Sequence, residues 1–522
     1  MNELDIGEWV KELEADGVQF RVEEDALLYR APTEVLTSER ADLIRTHEKS
    51  IRELVRAQVA AGPAPQVDDA EDVWQPLAPQ VAFFGGREVL RMGDIRRWPC
   101  GGDLRLCQIA LDELIKRHSI LRTRFVKDPS GRFWAVTEQQ RQVPIGFLDV
   151  SELAEPDQDA RIRDLASQLY EEPFNHETGP LVRLSLVKKS DDEYVSVLVV
   201  CHSVSDAWAL RVFFSDVAAL YEAARTGAPP ALKPLKLQYR DFARRRIEYL
   251  ASEQAYEHVL YWRRAILAHL KDPILLAADR RTPVPSRSAH RAPIIGRVGA
   301  DTLQALKSLA QASGATMFPC VAAAVAVVFA HWSGGRDLFS WVAVTTRGSV
   351  ELQKLCGHFI DCAPFLVRIR DEATFRELLE DARRTFVESM RHFDVTPALL
   401  GPTMRGIRQR VSFSSTILNY VVGSSMSPPS GSTLLDGLGR LNMGGISTRY
   451  DENVPIPIGF EFVELEDELC WKVPFKDSVF EDSTIEAMSL RIERLLDVVA
   501  RDPDVRFRDL PGTVLTEPLA AA

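Results

Sequence analysis

The run Tyr194-Val195-Ser196-Val197-Leu198-Val199-Val200, breaking into Cys201-His202-Ser203-Val204-Ser205-Asp206-Ala207-Trp208, decides how this chain is read. A continuous apolar, β-branched run is the signature of a buried strand. Beyond the break, Leu210, Phe213, Phe214, Val217 and Tyr221 recur at i, i+3, i+4, i+7 and i+11, which is one face of an amphipathic helix. His202 therefore sits on a strand-to-helix loop, where two packed elements can present a side chain to a cleft without softening its position. Asp206 lies four residues on, near the helix start, where free amides favour an anion. Strands and helices alternate in the same way in both halves of the chain, which predicts an α/β fold of the α+β sandwich kind.

At 522 residues the chain is long enough for about three packing units of ~150 residues. Hydrophobic residues at 46% and charged residues at 26% exclude disordered, collagenous and disulfide-scaffold classes. The net charge of −12 and the lack of a dense Lys/Arg run exclude nucleic acid as a partner. Seven cysteines show no repeated CxxC spacing, and the amino terminus is acidic where a secretory signal is basic and then apolar, so a cytoplasmic protein is expected. The uncharged stretch from Gly314 to Gly335 contains Pro319 and ends in His331-Trp332, and it reads as a buried helix, with no membrane partner expected. No GxxxxGK[ST], GxSxG or HExxH motif is present, and neither a metal site nor a bound cofactor is expected.

Residues 1–58 read as helix, hairpin, helix. Ile6, Trp9, Val10 and Leu13 line one helical face and Gly17 stops it. Two alternating runs, 18–23 and 26–31, flank Glu24-Asp25 as a hairpin, and Thr37 begins a second helix that carries Ile44, Ile51, Leu54 and Val55 inward. This unit holds 8 basic and 14 acidic residues, half of the net charge of the whole chain. On Gly17-Val18, Leu28-Tyr29-Arg30-Ala31-Pro32 and Leu36-Thr37 it resembles the TubC-type docking domain found at the start of nonribosomal peptide synthetase subunits. The resemblance implies capture of a carboxyl-terminal short linear motif from a partner synthase, and a two-stranded hairpin can accept such a strand. Residues 59–71 read as a semi-rigid linker.

The block around His202 resembles the HHxxxDG signature of nonribosomal peptide condensation domains, and the likeness runs on to Ala218-Ala219-Leu220-Tyr221-Glu222-Ala223. Further segments follow in the family's order: the 117–125 stretch resembles RHxxLRTxF, Gln238-Tyr239-Arg240-Asp241-Phe242-Ala243 resembles YxDFA, and Cys356-Gly357-His358-Phe359-Ile360 resembles GxFxN. Phe413 to Tyr420 stands where a core segment ending in Asn-Tyr is found, and Pro76 to Phe84 faintly resembles the opening motif. The resemblance implies two lobes like chloramphenicol acetyltransferase, set in a V with the active-site loop in a channel between them. The expected ranges are 72–275 for the first lobe, a Pro-containing crossing at 276–293 and 294–522 for the second.

The chemistry implied is attack of an amine or alcohol on an acyl thioester borne on the phosphopantetheine arm of an acyl or peptidyl carrier protein from another subunit. Positioning the two reactants recovers up to ~7–11 kcal/mol of the barrier, and a neutral imidazole taking the proton adds ~10²–10⁴-fold. His202 would be the catalytic histidine. Asp206 and Arg122 would be a structural pair fixing its loop, and amides at the start of the helix after Asp206 could polarise the thioester oxygen. Cys201 replaces the family's first His and reads as a small buried hydrophobe, not a nucleophile. Ala207 replaces a Gly and Asp361 an Asn. Leu441-Asn442-Met443-Gly444-Gly445-Ile446-Ser447 mimics a carrier attachment site without a helical bundle around it, Arg244-Arg245-Arg246 reads as a solvated helical face with carrier-protein contact as the alternative, and His358 and His392 read as core or surface residues with a place on the second lobe's face of the channel as the alternative.

The expectation is a free-standing condensation enzyme that forms an amide or ester and releases the chain, its acceptor being a small molecule or carrier-bound. The alternatives are a non-catalytic recruitment module, a CoA-dependent acyltransferase of the same fold, whose plant-type DFGWG segment is absent at 473–477, and, more weakly, an epimerase.

Overall fold

The computed structural model describes residues 6–23, 26–32, 35–52, 69–82, 91–276, 294–397, 399–400, 416–422 and 456–510, with 65, 67 and 279 singly. Helix α1 (Ile6–Ala15) turns Val10 and Leu13 inward, and Gly17 follows at φ +98°, a left-handed conformation that suits glycine. Strands β1 (Gln19–Glu23) and β2 (Ala26–Arg30) pair antiparallel from Gln19↔Arg30 to Glu23↔Ala26. The Thr37 hydroxyl accepts from the Arg40 amide at 3.2 Å and caps α2 (Ser38–Thr46). Ile44 and Ile51 close a small core with Val18, Leu27 and Val35. Leu54, Val55 and most of 59–71 lie outside the described residues.

Strand β3 (Ala70–Trp74) begins inside the range read as linker. It forms a three-stranded sheet in the order β3-β6-β5 with β5 (Thr123–Lys127) and β6 (Phe133–Glu138). A second sheet runs β4 (Arg91–Arg97), β9 (Tyr194–Cys201), β8 (Val182–Lys188), β7 (Ile145–Asp149). Strand β9 is antiparallel to both neighbours and apolar on both faces because both are covered. Leu198 and Val200 meet helices α4 (Leu104–Arg117) and α6 (Ala207–Thr226), whereas Val195 and Val197 meet Ile162 of α5 (Glu155–Glu171). Two further helices, the short α3 (Ala78–Ala82) and α7 (Tyr239–Leu250), complete this lobe.

The second lobe is a six-stranded sheet in the order β10-β15-β14-β13-β11-β12: Ile295–Gly299, Glu468–Lys472, Gly459–Glu464, Ile417–Val422, Asp337–Thr345 and Ile360–Arg368. Helix α8 (Glu253–His269) covers one face. The other is covered by α9 (Ala300–Ala312), α10 (Met317–Ser333), α11 (Phe375–Arg391) and α12 (Asp482–Arg501). Helix α10 is the uncharged stretch, and Met317 through Ala330 are buried in this core. No single helix among the described residues is long and apolar enough to cross a membrane.

Two sequence expectations need correction. Helix α8 falls in the range assigned to the first lobe, yet its Val259, Trp262 and Ile266 pack on Phe339, Trp341 and Leu366 of the second lobe's sheet. The apolar face of α8 covers what would otherwise be an open sheet face, so the chain joins the second lobe before the Pro-containing segment, most of which lies outside the described residues. The run Arg244-Arg245-Arg246 is a solvated face only in part: Arg244 and Arg245 are exposed, Arg244 bonding Asp72 at 2.9 Å, whereas Arg246 is buried against Asp361 and Asp394. Residues 441–447 also lie outside the described residues.

Candidate active site

Strand β9 ends at Cys201, and His202–Val204 form a single 3-10 turn before Asp206 caps α6. The Nδ1 of His202 lies 2.7 Å from the Ser205 carbonyl oxygen. A carbonyl can only accept, so Nδ1 carries the proton and Nε2 the lone pair. Burial pulls the imidazole below the ordinary histidine range, partly offset by the Ser205 bond and the nearby Asp206 charge. The ring of His358 stands edge-on to it, with centroids 4.8 Å apart, and burial holds His358 well below the ordinary range as well. His392 is elsewhere, stacked on Tyr261 with its Nδ1 2.8 Å from that of His258.

Asp206 is wholly buried. It accepts from the Ala209 amide at 2.7 Å, from the Phe359 amide at 2.9 Å and from Arg347 Nη2 at 3.0 and 3.2 Å. The Ala209 amide, one of those that could have polarised a thioester oxygen, is thus taken by the carboxylate. Arg122 does not hold Asp206: it pairs with Glu71 at 2.6 Å and donates to the Glu138 carbonyl. The reason is topological. Arg122 ends the turn Ser119–Arg122 that leads into β5 on the three-stranded sheet, whereas Arg347 follows β11 of the second lobe and faces the start of α6.

Arg347 also donates to the carbonyls of Leu352 at 2.7 Å, Leu355 at 2.8 Å and Gly357 at 3.3 Å, so one guanidinium folds the 347–357 loop onto itself. That loop enters the first lobe, where Leu355, Cys356 and Phe359 join its core. The Cys356 amide donates to His118 Nδ1 at 3.3 Å, His118 Nε2 lies 3.0 Å from Asp216 of α6, and Tyr239 donates to the His358 carbonyl at 2.6 Å. A Cβ on Gly357 would sit 2.2 Å from the Tyr239 ring, so only glycine allows this approach.

Cys201 is fully buried, with Sγ 2.8 Å from Ser203 Oγ, and burial pushes its thiol up to about 11. A thiol held protonated at neutral pH packs; it does not attack. Ala207 is the first residue of α6, a conformation any L-residue adopts, so replacing glycine there carries no backbone strain. Two surface cavities of about 460 and 450 Å³ lie among the described residues, and His202 lines neither.

Residues 101–515 match the condensation domain family, and residues 6–54 match the TubC N-terminal docking domain. The chain belongs to the condensation domain family. This condensation domain is 29% identical over 405 residues to a linear gramicidin synthase of Brevibacillus parabrevis, a match that covers 77% of the chain but only 5% of that synthase. Its fold is similar to the X-domain from teicoplanin biosynthesis, with a TM-score of 0.67 and 22% identity, covering 85% of this chain and 99% of that one. It is also similar to the structure titled as the molecular basis for condensation domain-mediated chain release from the enacyloxin polyketide synthase, with a TM-score of 0.62 and 19% identity, covering 99% and 97%. Arg347 went unrecognised in the sequence because it is 141 residues from its partner; its only mark is a position just past a buried strand and before Gly348.

Proposed function

We propose that this condensation domain forms an amide or an ester by transferring an acyl group from a carrier-protein thioester to an amine or alcohol. His202 Nε2 takes the proton from the attacking N–H or O–H as the new bond to the carbonyl carbon forms. The C–S bond then breaks, and the proton passes to the departing thiolate of the phosphopantetheine arm. The observation that carries this reading is the bond from His202 Nδ1 to the Ser205 carbonyl, since it leaves the basic lone pair on the other nitrogen. Burial favours the same neutral form. Asp206 is architectural, its oxygens being engaged by Ala209, Phe359 and Arg347.

Chain release onto a small acceptor is the mode we favour, supported by a fold neighbour whose title names condensation domain-mediated chain release. The docking unit offers a hairpin to a partner synthase's terminal segment, bringing that partner's carrier to this chain. The test is intact-mass spectrometry of an acyl-loaded carrier incubated with candidate amines and alcohols. The intact protein is expected to unload the carrier, and His202→Ala to slow unloading by about 10²–10⁴-fold. Equal unloading by both proteins removes His202 from the chemistry.

A further inference from the structure

The 3-10 turn that carries His202 is poorly held by its own backbone: its closing bond, from the Ser205 amide to the His202 carbonyl, is 3.5 Å long, at the limit of a useful hydrogen bond. Its geometry must come from outside. One support is Asp206, anchored from the second lobe. Another comes from the segment before β4. The side-chain Nε2 of Gln80 donates to the Ser203 carbonyl at 2.7 Å, while its Oε1 accepts from the Leu77 amide at 3.1 Å. Gln80 has no exposed surface. It is the third residue of α3, so the bond back to Leu77 fixes its side chain as half of a capping box. A rigid amide pinned at its oxygen thus aims its N–H₂ at the carbonyl one residue beyond His202.

We infer that Gln80 is a positioning residue for His202, holding the turn so that Nδ1 stays on the Ser205 carbonyl and Nε2 is presented as the lone pair. The residue type follows from the contacts. Both a donor and an acceptor are needed on one planar group at this length: Glu has no donor when ionised, Met has neither, and Asn is one carbon short. Ser203 is wholly buried, so its carbonyl has no water to replace the lost bond, and the turn must move to find another partner. The kinetic consequence rests on the acyl-transfer reading above, but the geometric one does not.

The test reads the imidazole directly. In the full chain labelled with ¹⁵N-histidine, the His202 nitrogens, assigned by their loss in His202→Ala, are expected to report a single Nδ1–H tautomer. In Gln80→Met they are expected to shift toward a mixture of tautomers, whereas a merely structural role would lower the melting temperature and leave them in place. Unmoved His202 resonances in the folded variant overturn the inference. Should that variant fail to fold, Gln80→Glu keeps the bond to Leu77. At pH 8 its carboxylate opposes the Ser203 carbonyl and the His202 signals are expected to move. At pH 5 the protonated carboxyl donates again and they are expected to return to those of the unaltered protein at the same pH; coincidence at both pH values overturns the inference. With an acyl-loaded carrier, Gln80→Met is expected to lower kcat about 10²-fold at nearly constant KM. Failure of the unaltered protein to turn over strikes the acyl-transfer reading alone, because the resonances judge Gln80 without turnover.

Discussion

A buried imidazole is a base only while it is neutral, and His202 is kept neutral by desolvation against the opposing pull of Ser205 and Asp206. The sign follows directly. A histidine pulled down on folding keeps its lone pair at pH values where a free one has lost it, so the acid limb of activity is expected below the usual value of about 6.5. A pH–kcat profile with that limb at or above 6.5 would contradict the burial argument. Asp361 is displaced the other way: burial pushes its carboxyl up to about 6, although Arg246 lies 3.4 Å away. A carboxyl raised on folding costs stability that appears as pH rises through the unfolded value near 3.9 and is complete above about 6. Asp361→Asn removes that ionisation, and Arg246 keeps Asp394. It is expected to stabilise the fold at pH 8 by on the order of 2 kcal/mol and to give no gain at pH 4, as read by denaturant melts at both values. The sequence flagged this position because Asn was expected there, but the partners Arg246 and Asp394 stand far off in the chain.

Between elements, what matters is the contact of α6 with the loop after β11. Asp206 and Arg347 are both buried, and a charge left without its partner in such a place costs several kcal/mol. Asp206→Ala and Arg347→Ala are each expected to destabilise by about 3–5 kcal/mol, with the double variant well short of their sum. Arg122→Ala, which breaks the pair with Glu71 on the partly exposed end of β3, is expected to add independently to Asp206→Ala. Thermodynamic cycles measured by urea unfolding separate the two cases, and strong coupling of Asp206 to Arg122 would refute the assignment. What was legible at this scale was local. The β9 run, the His202 turn and the apolar face of α6 are read from adjacent residues whose period is set by their own backbone. The Arg347 contact was not, because an ion pair closes wherever topology brings two ends together and leaves no periodic trace. Gln80 stayed obscure for the same reason, its partner Ser203 lying 123 residues on.

Across the whole molecule, the first lobe holds a piece of the second. Leu355, Cys356 and Phe359 leave the second lobe to pack in the first, while α8 precedes the second lobe in the chain and packs against its sheet. Trp208 adds a bond from its Nε1 to the Gln353 carbonyl at 2.8 Å. The docking unit is seated on the same α8, through Tyr256 to the Gly17 carbonyl at 3.1 Å and through Arg30 to Glu253. Sequence periodicity finds the elements of both lobes but places the division at the prolines, since composition marks a change of chain direction and not the exchange of packing surface. This sharing has a thermodynamic consequence. The first core is incomplete without Leu355, Cys356 and Phe359 of the second lobe, so the lobes cannot come apart without exposing buried apolar surface. Calorimetry is expected to show one transition for both lobes. Phe359→Ala, which empties a wholly buried site against Tyr239 and Phe242, is expected to lower stability by about 3–5 kcal/mol while keeping that single transition. Two transitions already resolved in the unaltered protein, with only the first moved by Phe359→Ala, would show that the lobes are stable apart and that the loop is an appendage to the first core, not a shared part of both.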